Sequence, residues 1–271
     1  MITNNIYPPR NVLAEEYIKH CAVIDLSNLP PQTIKITVPP LGFPVLFFNY
    51  GKKTDFWKFY NGADNIQSVF VGQFTRHITL YPDKDLKLIG VNFKPYGLYN
   101  LFGNFKKNIL NNYIDASILF GKENIQNIIN ILQTQDIDKA VNAIENLLLE
   151  YQNKTILKYP YFDEIVDTIE KKDGLINYHD LLSNKISERT FQRYFHNVIG
   201  VSPKLFCELL RHKYVIKLFY NNYNLSWSDI NFENFYYDFS HFSRDFKRFT
   251  GHNPKYYLEN KHELTNIFVG F

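Results

Sequence analysis

Hydrophobic positions in the first third of the chain form short runs that alternate with polar residues and stop at turn residues. Ile34–Val38 alternates with a period of two and ends at Pro39, and Leu86–Phe93 alternates in the same way before Pro95. Further short apolar runs follow at similar spacing: Val45–Phe48, Val69–Val71 and His77–Tyr81. Short strands punctuated by proline and glycine are typical of an antiparallel sandwich or barrel. The pattern therefore predicts a β-rich domain over residues 1–110.

After Gly121 the hydrophobic period changes from that of a strand to that of a helix. The apolar residues of 122–133 share one helix face, and so do those of 136–150, where Asp136 is placed to cap the helix. These faces either dock on the β-rich domain or pair between subunits. The polar stretch Gln152–Thr155 is a candidate linker. Residues 111–158 are therefore predicted to be a helical connector and candidate dimerisation segment.

The remainder of the chain predicts short helices and contains an internal repeat. At a constant offset of 51 positions, six residues recur in identical form. The pairs are Phe191 and Phe242, Arg193 and Arg244, Phe195 and Phe246, Gly200 and Gly251, Pro203 and Pro254, Lys204 and Lys255. Two similar helical units therefore stand in tandem.

Each unit has one apolar and one polar helix face. The first helix follows Ser187 as its N-cap and ends at Gly200, and the second ends at Gly251. The predicted buried faces are Phe191, Phe195 and Val198 in the first unit and Phe242, Phe246 and Phe249 in the second. The opposite, polar faces are Arg189, Gln192, Arg193 and His196, then Ser240, Ser243, Arg244 and Lys247.

Polar faces of this kind suit the reading of DNA in the major groove. Arginine spans the two acceptors of guanine, and glutamine satisfies both groups of adenine. A single such helix is more often just a solvated surface. The duplication, with a helix predicted before each unit over Tyr178–Lys185 and Trp227–Phe235, favours two helix-turn-helix motifs. A linking helix over Pro203–Tyr220 would join them.

These residues resemble a known family. Ser187–Phe195, Gly200–Pro203 and Tyr237–Pro254 are similar to the C-terminal domain of AraC/XylS transcriptional regulators. The resemblance implies an all-α double helix-turn-helix domain over residues 159–262, followed by a tail at 263–271. It also implies that both recognition helices enter successive major-groove turns. By position, base contacts fall to Arg189, Gln192 and Arg193 in the first motif and to Phe239, Ser240, Ser243 and Arg244 in the second, with His196 and Lys247 completing the predicted DNA-binding set.

The N-terminal part resembles, through fewer residues, the β-rich sensor-like domain of a set of poorly characterised regulators. Val38–Gly51, Gly72–His77 and Leu88–Gly103 carry this similarity. It implies a cupin-like barrel, so that the whole chain is predicted to be α+β, with a pocket for a small apolar or aromatic effector. The aromatic candidates either line this pocket or fill the core: Phe47, Phe48, Phe74, Phe93 and Tyr96. Arg76 and His77 either meet an anionic effector or occupy a surface strand.

Two features leave other functions open. Phe235 and Asn231 stand where the family usually has a glycine and a small residue, and Phe239 replaces a residue that is often polar. Phe239 either touches a thymine methyl or packs structurally. One alternative is therefore an interaction protein whose altered turns have abolished DNA reading. The other is a β-barrel enzyme with a DNA-binding appendage, which the scarcity of histidine in the β-rich part disfavours.

Charge and composition refine this interpretation. The net charge is only +3, with 45% hydrophobic and 21% charged residues, which is ordinary for a globular protein. The segment 185–217 is locally basic, because it has seven lysines and arginines against Glu188 and Glu208. A basic face of this kind can bind phosphate. The basic residues are Lys185, Arg189, Arg193, Lys204, Arg211, Lys213 and Lys217.

Partners and location follow from the same sequence. Neither a signal peptide nor an apolar stretch long enough for a membrane span is present, so a cytoplasmic protein without a membrane is expected. Cys21 and Cys207 suit reduced thiols, with Cys207 an inert buried one on the linking helix. No catalytic residue, metal site or cofactor is expected. The expected partners are double-stranded DNA, a small-molecule effector, RNA polymerase and a second copy of the chain.

Overall fold

The computed structural model describes residues 3–27, 35–51, 66–81, 86–103, 109–154, 156, 159, 161–182, 186–221, 236 and 238–259. Its first part is β-rich and antiparallel, as predicted. A six-stranded sheet has the order β1-β2-β7-β4-β5-β8, and β3 pairs with β6 in a separate two-stranded sheet. The strands are β1 (Thr3–Tyr7), β2 (Ile18–Asp25), β3 (Ile36–Val38), β4 (Val45–Asn49), β5 (Ser68–Val71), β6 (Ile78–Leu80), β7 (Lys87–Phe93) and β8 (Tyr113–Asp115).

Three strands of the main sheet have no counterpart among the predicted runs: β2 and the two edge strands, β1 and β8. β1 contains two asparagines, which are poor strand formers, and it exists through its pairing with β2. β8 pairs with β5 and extends the sheet to Asp115, past the boundary predicted at residue 110. Both edge strands are too short or too polar to show an alternating pattern, so their existence depends on the neighbouring strand.

The core of the β-rich part is built on aromatic rings, and the helices after the sheet pack on it. The Phe70 ring lies 5.6 Å from that of Phe120 and 5.9 Å from that of Phe102, measured between centroids. The apolar faces of α3 (Lys122–Gln133) and α4 (Ile137–Glu150) belong to the same buried cluster. Of the two arrangements open for these helices, docking on the sheet is therefore the one observed. The short helices α1 (Gly97–Phe102) and α2 (Ser117–Phe120) precede them.

The second part is helical and reproduces the repeat. It contains α5 (Phe162–Lys171), α6 (His179–Leu182), α7 (Glu188–Val198), α8 (Pro203–Asn221), α9 (Phe239–Thr250) and α10 (Pro254–Glu259). The linking helix is thus confirmed as α8. The first helix of the first motif is present as α6, whereas the predicted Trp227–Phe235 helix and the altered turns at Asn231 and Phe235 lie outside the described residues.

The two parts of the chain share a buried cluster. Tyr96 and Tyr99 pack with residues of α5, α7 and α8. The Tyr96 hydroxyl donates to Asp167 Oδ1 at 2.9 Å, and the Asn100 amide donates to Asp163 Oδ2 at 2.9 Å. Burial and the Asp167 carboxylate raise the pKa of Tyr96, which keeps it a donor. The α1 segment therefore fastens the β-rich part to α5.

Candidate functional site

The first candidate recognition helix, α7, has the cap and faces that the sequence predicts. Ser187 Oγ accepts a hydrogen bond from the Thr190 backbone N–H at 3.3 Å. Phe191, Phe195 and Val198 are buried. The four polar residues of the opposite face are all exposed: Arg189, Gln192, Arg193 and His196. The helix therefore offers one side to the core and a continuous hydrogen-bonding side to solvent.

Neighbouring side chains orient part of this face. The Gln192 amide donates to Glu188 Oε1 at 2.9 Å, one helical turn away. The Arg193 guanidinium carbon lies 5.5 Å from the centroid of the Tyr194 ring, within the range of a cation–π contact. Tyr194 in turn stacks on Tyr159 at 3.6 Å. The guanidinium of Arg193 thus lies beside a stacked tyrosine while the residue stays exposed.

The second candidate recognition helix, α9, repeats the scheme with a different cap. Asp238 Oδ1 accepts a hydrogen bond from the His241 backbone N–H at 2.7 Å. Gly251 ends the helix with φ +78°, a left-handed conformation that glycine adopts without steric cost. The predicted inner face is buried at Phe242, Phe246 and Phe249. On the outer face Ser240, Arg244 and Lys247 are exposed and Ser243 is half-buried.

Phe239 begins α9 and lies partly against the core. Its ring centroid is 6.1 Å from that of Phe242, and 51% of the residue is exposed. One side of the ring therefore packs and the other faces solvent. Neither of the two roles that the sequence left open is contradicted by this placement.

A buried histidine distinguishes the core of the second unit. His212, on α8, lies 4.4 Å from the Phe249 ring between centroids, and its Nε2 is 3.0 Å from the Tyr236 hydroxyl. Burial, followed by the nearby Arg211 and Arg248, lowers the pKa of His212 well below its ordinary value. The ring is therefore neutral, and its Nε2 shares a hydrogen bond with the Tyr236 hydroxyl. The sequence pattern did not single out His212, because a histidine on a helix is more often exposed.

Cys207 behaves as predicted. It is buried on α8, and burial raises the pKa of its thiol to about 11. A thiol of this kind is almost entirely protonated at neutral pH, and it is therefore a poor nucleophile.

An apolar pocket lies between the two-stranded sheet and the main sheet. It encloses about 680 Å³, counting the part that opens to solvent. Its walls come from β3, β6, the loop before β4, and the strands β4, β5 and β8. The lining residues are Val38, Pro39, Pro40, Leu41, Phe43, Val45, Phe47, Val71, Gly72, Phe74, Ile78, Leu80 and Tyr113.

The aromatic residues proposed for this pocket divide between three places. Phe47 and Phe74 line it. Phe48 and Phe93 are fully buried in the core instead, and Tyr96 belongs to the cluster shared with α5. Successive side chains of a strand point to opposite faces, which separates Phe47 from Phe48. The aliphatic lining residues were not predicted from the sequence, because aliphatic residues in strands usually belong to the core.

Arg76 and His77 lie directly before β6 and not in a strand. Arg76 is exposed, whereas His77 Nδ1 lies 3.1 Å from the backbone carbonyl oxygen of Arg248, near the end of α9. This contact joins residues 171 positions apart in the chain. No local pattern could have indicated it.

Metal sites and membrane-spanning helices can be assessed over the described residues. No group of three or more His, Cys, Asp or Glu residues there is arranged to hold a metal ion. Among the helices described, none combines the length and the apolar character that crossing a membrane requires.

Comparisons with known proteins match both parts of the chain. Residues 183–260 match the model of a helix-turn-helix domain, and residues 5–115 match that of a domain of unknown function, DUF6597. No curated protein matches the chain.

Among solved structures, a structure of ToxT from Vibrio cholerae is 12% identical, with a TM-score of 0.48 over 95% of this chain and 98% of that one. Wild-type ToxT bound to an unsaturated fatty acid is 14% identical, with a TM-score of 0.44 over 95% of this chain and 97% of that one.

Proposed function

We propose that this chain, a DNA-binding regulator with an AraC-type helix-turn-helix domain at its C-terminus, reads two DNA boxes with α7 and α9 and responds to a small apolar molecule bound in its β-rich part. The observation that carries the proposal is the matched pair of helices. Each has a capped start, a face of buried phenylalanines and an opposite face of exposed polar side chains. In this proposal residues 1–110, 111–158 and 159–262 are the sensor, connector and DNA-binding domains.

The base contacts are assigned to the two exposed faces. Arg189, Gln192 and Arg193 read the first box, and Phe239, Ser240, Ser243 and Arg244 read the second, while His196 and Lys247 contact the backbone or flanking bases. α8 joins the two motifs as one continuous helix. A rigid link places both recognition helices on one side of the duplex, about 34 Å or one turn apart. The first box should be sharply specified, since arginine and glutamine make bidentate base contacts and serine does not.

In vitro selection from random duplexes tests the DNA half of this proposal. The purified full chain should enrich two short boxes whose centres lie about 10 base pairs apart. The information content should be higher in the box that loses specificity when Arg193 is replaced. If the full chain enriches no sequence at all, the interaction-protein alternative is correct and this proposal fails.

The effector half rests on the pocket between the two sheets. Its lining is almost wholly aliphatic and aromatic, which favours a small apolar or aromatic molecule. The dye 8-anilinonaphthalene-1-sulfonate, which fluoresces in apolar sites, is a suitable probe. Val71→Glu places a charge in the pocket and should weaken dye binding at least about tenfold. Ile6→Glu, at an exposed apolar position of β1, is the matched control and should leave dye binding unchanged. Equal dye binding by both variants would exclude this pocket.

The remaining partners complete the proposal. A regulator of this type acts in the cytoplasm on DNA and contacts RNA polymerase. A homodimer would have to use surfaces other than the apolar faces of α3 and α4, because these lie against the sheet. Sedimentation velocity of the full chain at micromolar concentration, with and without selected DNA, tests the dimer. A strictly monomeric chain under both conditions would contradict it.

A further inference from the structure

The end of the second recognition helix is held by a residue of the β-rich part. α9 ends at Thr250, and the last carbonyl groups of a helix have no partner within it. The Lys247 carbonyl accepts from the Gly251 backbone N–H at 2.9 Å. The next carbonyl, that of Arg248, lies 3.1 Å from His77 Nδ1. A carbonyl oxygen only accepts, so His77 is the donor and carries its proton on Nδ1.

The imidazole also packs against the turn that follows α9. A Cβ atom at Gly251 would lie 3.0 Å from His77 Nε2, closer than ordinary van der Waals contact. Gly251 therefore serves two purposes, since it adopts φ +78° and leaves room for the His77 ring. The His77 ring thus contacts the end of α9 through both nitrogens: Nδ1 makes a hydrogen bond with the Arg248 carbonyl, and Nε2 packs closely against Gly251.

The same segment of the β-rich part forms one wall of the apolar pocket. Ile78 follows His77 directly and lines the pocket, as does Phe74 three positions earlier. Ile78 is held in β6 by pairing opposite Val38 of β3, another lining residue. Any change in the spacing of the pocket walls therefore acts on the backbone that carries His77.

The loop before β4, on another side of the pocket, touches the linking helix. The Phe43 ring lines the pocket, and its centroid is 4.5 Å from Lys213 Nζ of α8. A Cβ at Gly42 would lie 3.1 Å from Leu210 Cδ2, also on α8. The pocket walls thus contact α8 at one place and α9 at another. A movement of the walls would therefore change the angle between these two helices.

The contact leaves the DNA-reading face of α9 open. Ser240, Arg244 and Lys247 are exposed although His77 is in place. His77 meets the helix at its final carbonyls and not along the outer face. His77 therefore affects DNA binding by positioning α9 and not by blocking its outer face.

We propose that His77 is the positioning residue of the second recognition helix, and that through it the contents of the apolar pocket alter the reading of the second box. This inference rests on the proposed two-box function. His77 fixes the end of α9 to the pocket wall, and the first motif, whose core is packed on α5 and the α1 segment, is held independently of it.

The first test compares two duplexes for each variant of the full chain: a selected two-box duplex and one with the second box scrambled. His77→Ala should weaken binding to the two-box duplex by roughly three- to tenfold, the range expected for one lost hydrogen bond and its packing. It should leave binding to the first-box duplex unchanged. His77→Asn should restore most of the affinity, because its amide N–H donates from nearly the position of Nδ1. Arg76→Ala, the exposed neighbour, is the control for charge.

The selectivity for one duplex separates positioning from a general structural role. A loss of stability would weaken both duplexes alike and would be visible in thermal melting. Equal weakening of both duplexes by His77→Ala, or tighter binding of the two-box duplex, would overturn the inference. If the wild-type chain binds neither duplex, the proposed function fails first, and that outcome is distinct from a failure of His77.

The second test fills the pocket without a ligand. Val71 is a half-buried lining residue on β5, outside the segment that carries His77. Val71→Phe should change the affinity for the two-box duplex at least about twofold in the wild-type background and clearly less when His77→Ala is also present. Equal effects in both backgrounds, or none in the wild type, would show that pocket filling does not act through His77.

Discussion

The two helix-turn-helix units share a scaffold but differ in what surrounds it. In the first, Phe191 and Phe195 belong to a buried cluster that extends into the β-rich part through Tyr96 and Tyr99. In the second, Phe242 and Phe246 form a smaller cluster with residues of α8 and α10. The first unit is thus built into the body of the molecule, whereas the second meets the β-rich part at the end of α9.

This difference shows that a duplicated sequence can be set in two different surroundings. The repeated phenylalanines, glycines and prolines reproduce the same helix, stop and restart in both units. The neighbours then differ: the first unit shares a large buried cluster with the β-rich part, whereas the second has its own core with a buried His212 and contacts the β-rich part through His77. The following predictions test that contrast, from the largest expected effect to the smallest.

The largest effect concerns the shared scaffold. Phe195 and Phe246 occupy the same repeat position and are fully buried. Cutting either to alanine should lower the free energy of unfolding by about 3–5 kcal/mol, through lost burial and the cavity left behind. DNA binding should then be lost through unfolding, since domains are only marginally stable. Chemical denaturation measures the change, with Phe→Leu at each position as the milder control. A variant that melts like the wild type would show that the helix phase is wrong.

The second effect concerns the loss of stability at acid pH, which should arise mainly from the core of the second unit. The pKa of His212 is lowered in the folded chain, so below about pH 6.5 the unfolded chain takes up a proton that the folded chain resists. The contribution of the neutral His212 to the free energy of unfolding should therefore be fully present at pH 7. It should decrease as the pH is lowered from 6.5 to 5.

His20, in the β-rich part, acts in the same direction, because burial lowers its pKa to about 4. His212→Leu should make the stability less dependent on pH, as measured by denaturation at pH 7.5, 6 and 5. A wild-type chain equally stable at all three values would contradict the burial of a neutral His212.

The third effect compares the two candidate recognition helices at one repeat position, Arg193 in α7 and Arg244 in α9. Arg193 and Arg244 are both exposed at equivalent sites. Arg193→Ala should weaken binding to the selected DNA by about 1–3 kcal/mol and relax the preference at one position of the first box. Arg244→Ala is its matched variant and should relax the second box only. Competition binding with single-base variants of the duplex measures both. Unchanged binding by Arg193→Ala, or a strict second box beside a degenerate first one, would reverse the assignment.

The smallest effect concerns a backbone contact. Lys247 is exposed near the end of the outer face of α9. If it contacts phosphate, Lys247→Ala should weaken all sequences alike and lower the salt slope of binding by about one unit. Lys139→Ala, on the exposed side of α4, is the control and should leave the slope unchanged. A change in base preference with Lys247→Ala would instead make this lysine a reader of bases.

Much of the candidate site could be predicted because it depends on local order. The buried faces of α7 and α9, the Ser187 cap, the Gly251 stop and the linking helix α8 all follow from spacings of a few residues. A helix brings together residues three and four apart whatever else the chain does. The same holds for the five short apolar runs, which the structure confirms as β3, β4, β5, β6 and β7.

Only the tertiary structure decided what meets across the chain. The pairing of β8 with β5, the presence of Phe74 but not Phe93 in the pocket, and the contact of His77 with the Arg248 carbonyl join segments far apart in sequence. None of these has a periodic signature, because each depends on which surfaces pack together once the elements exist. The amino-acid order thus determined the two candidate recognition helices through local geometry. Their different attachment to the β-rich part was decided by long-range packing, which no short window of sequence encodes.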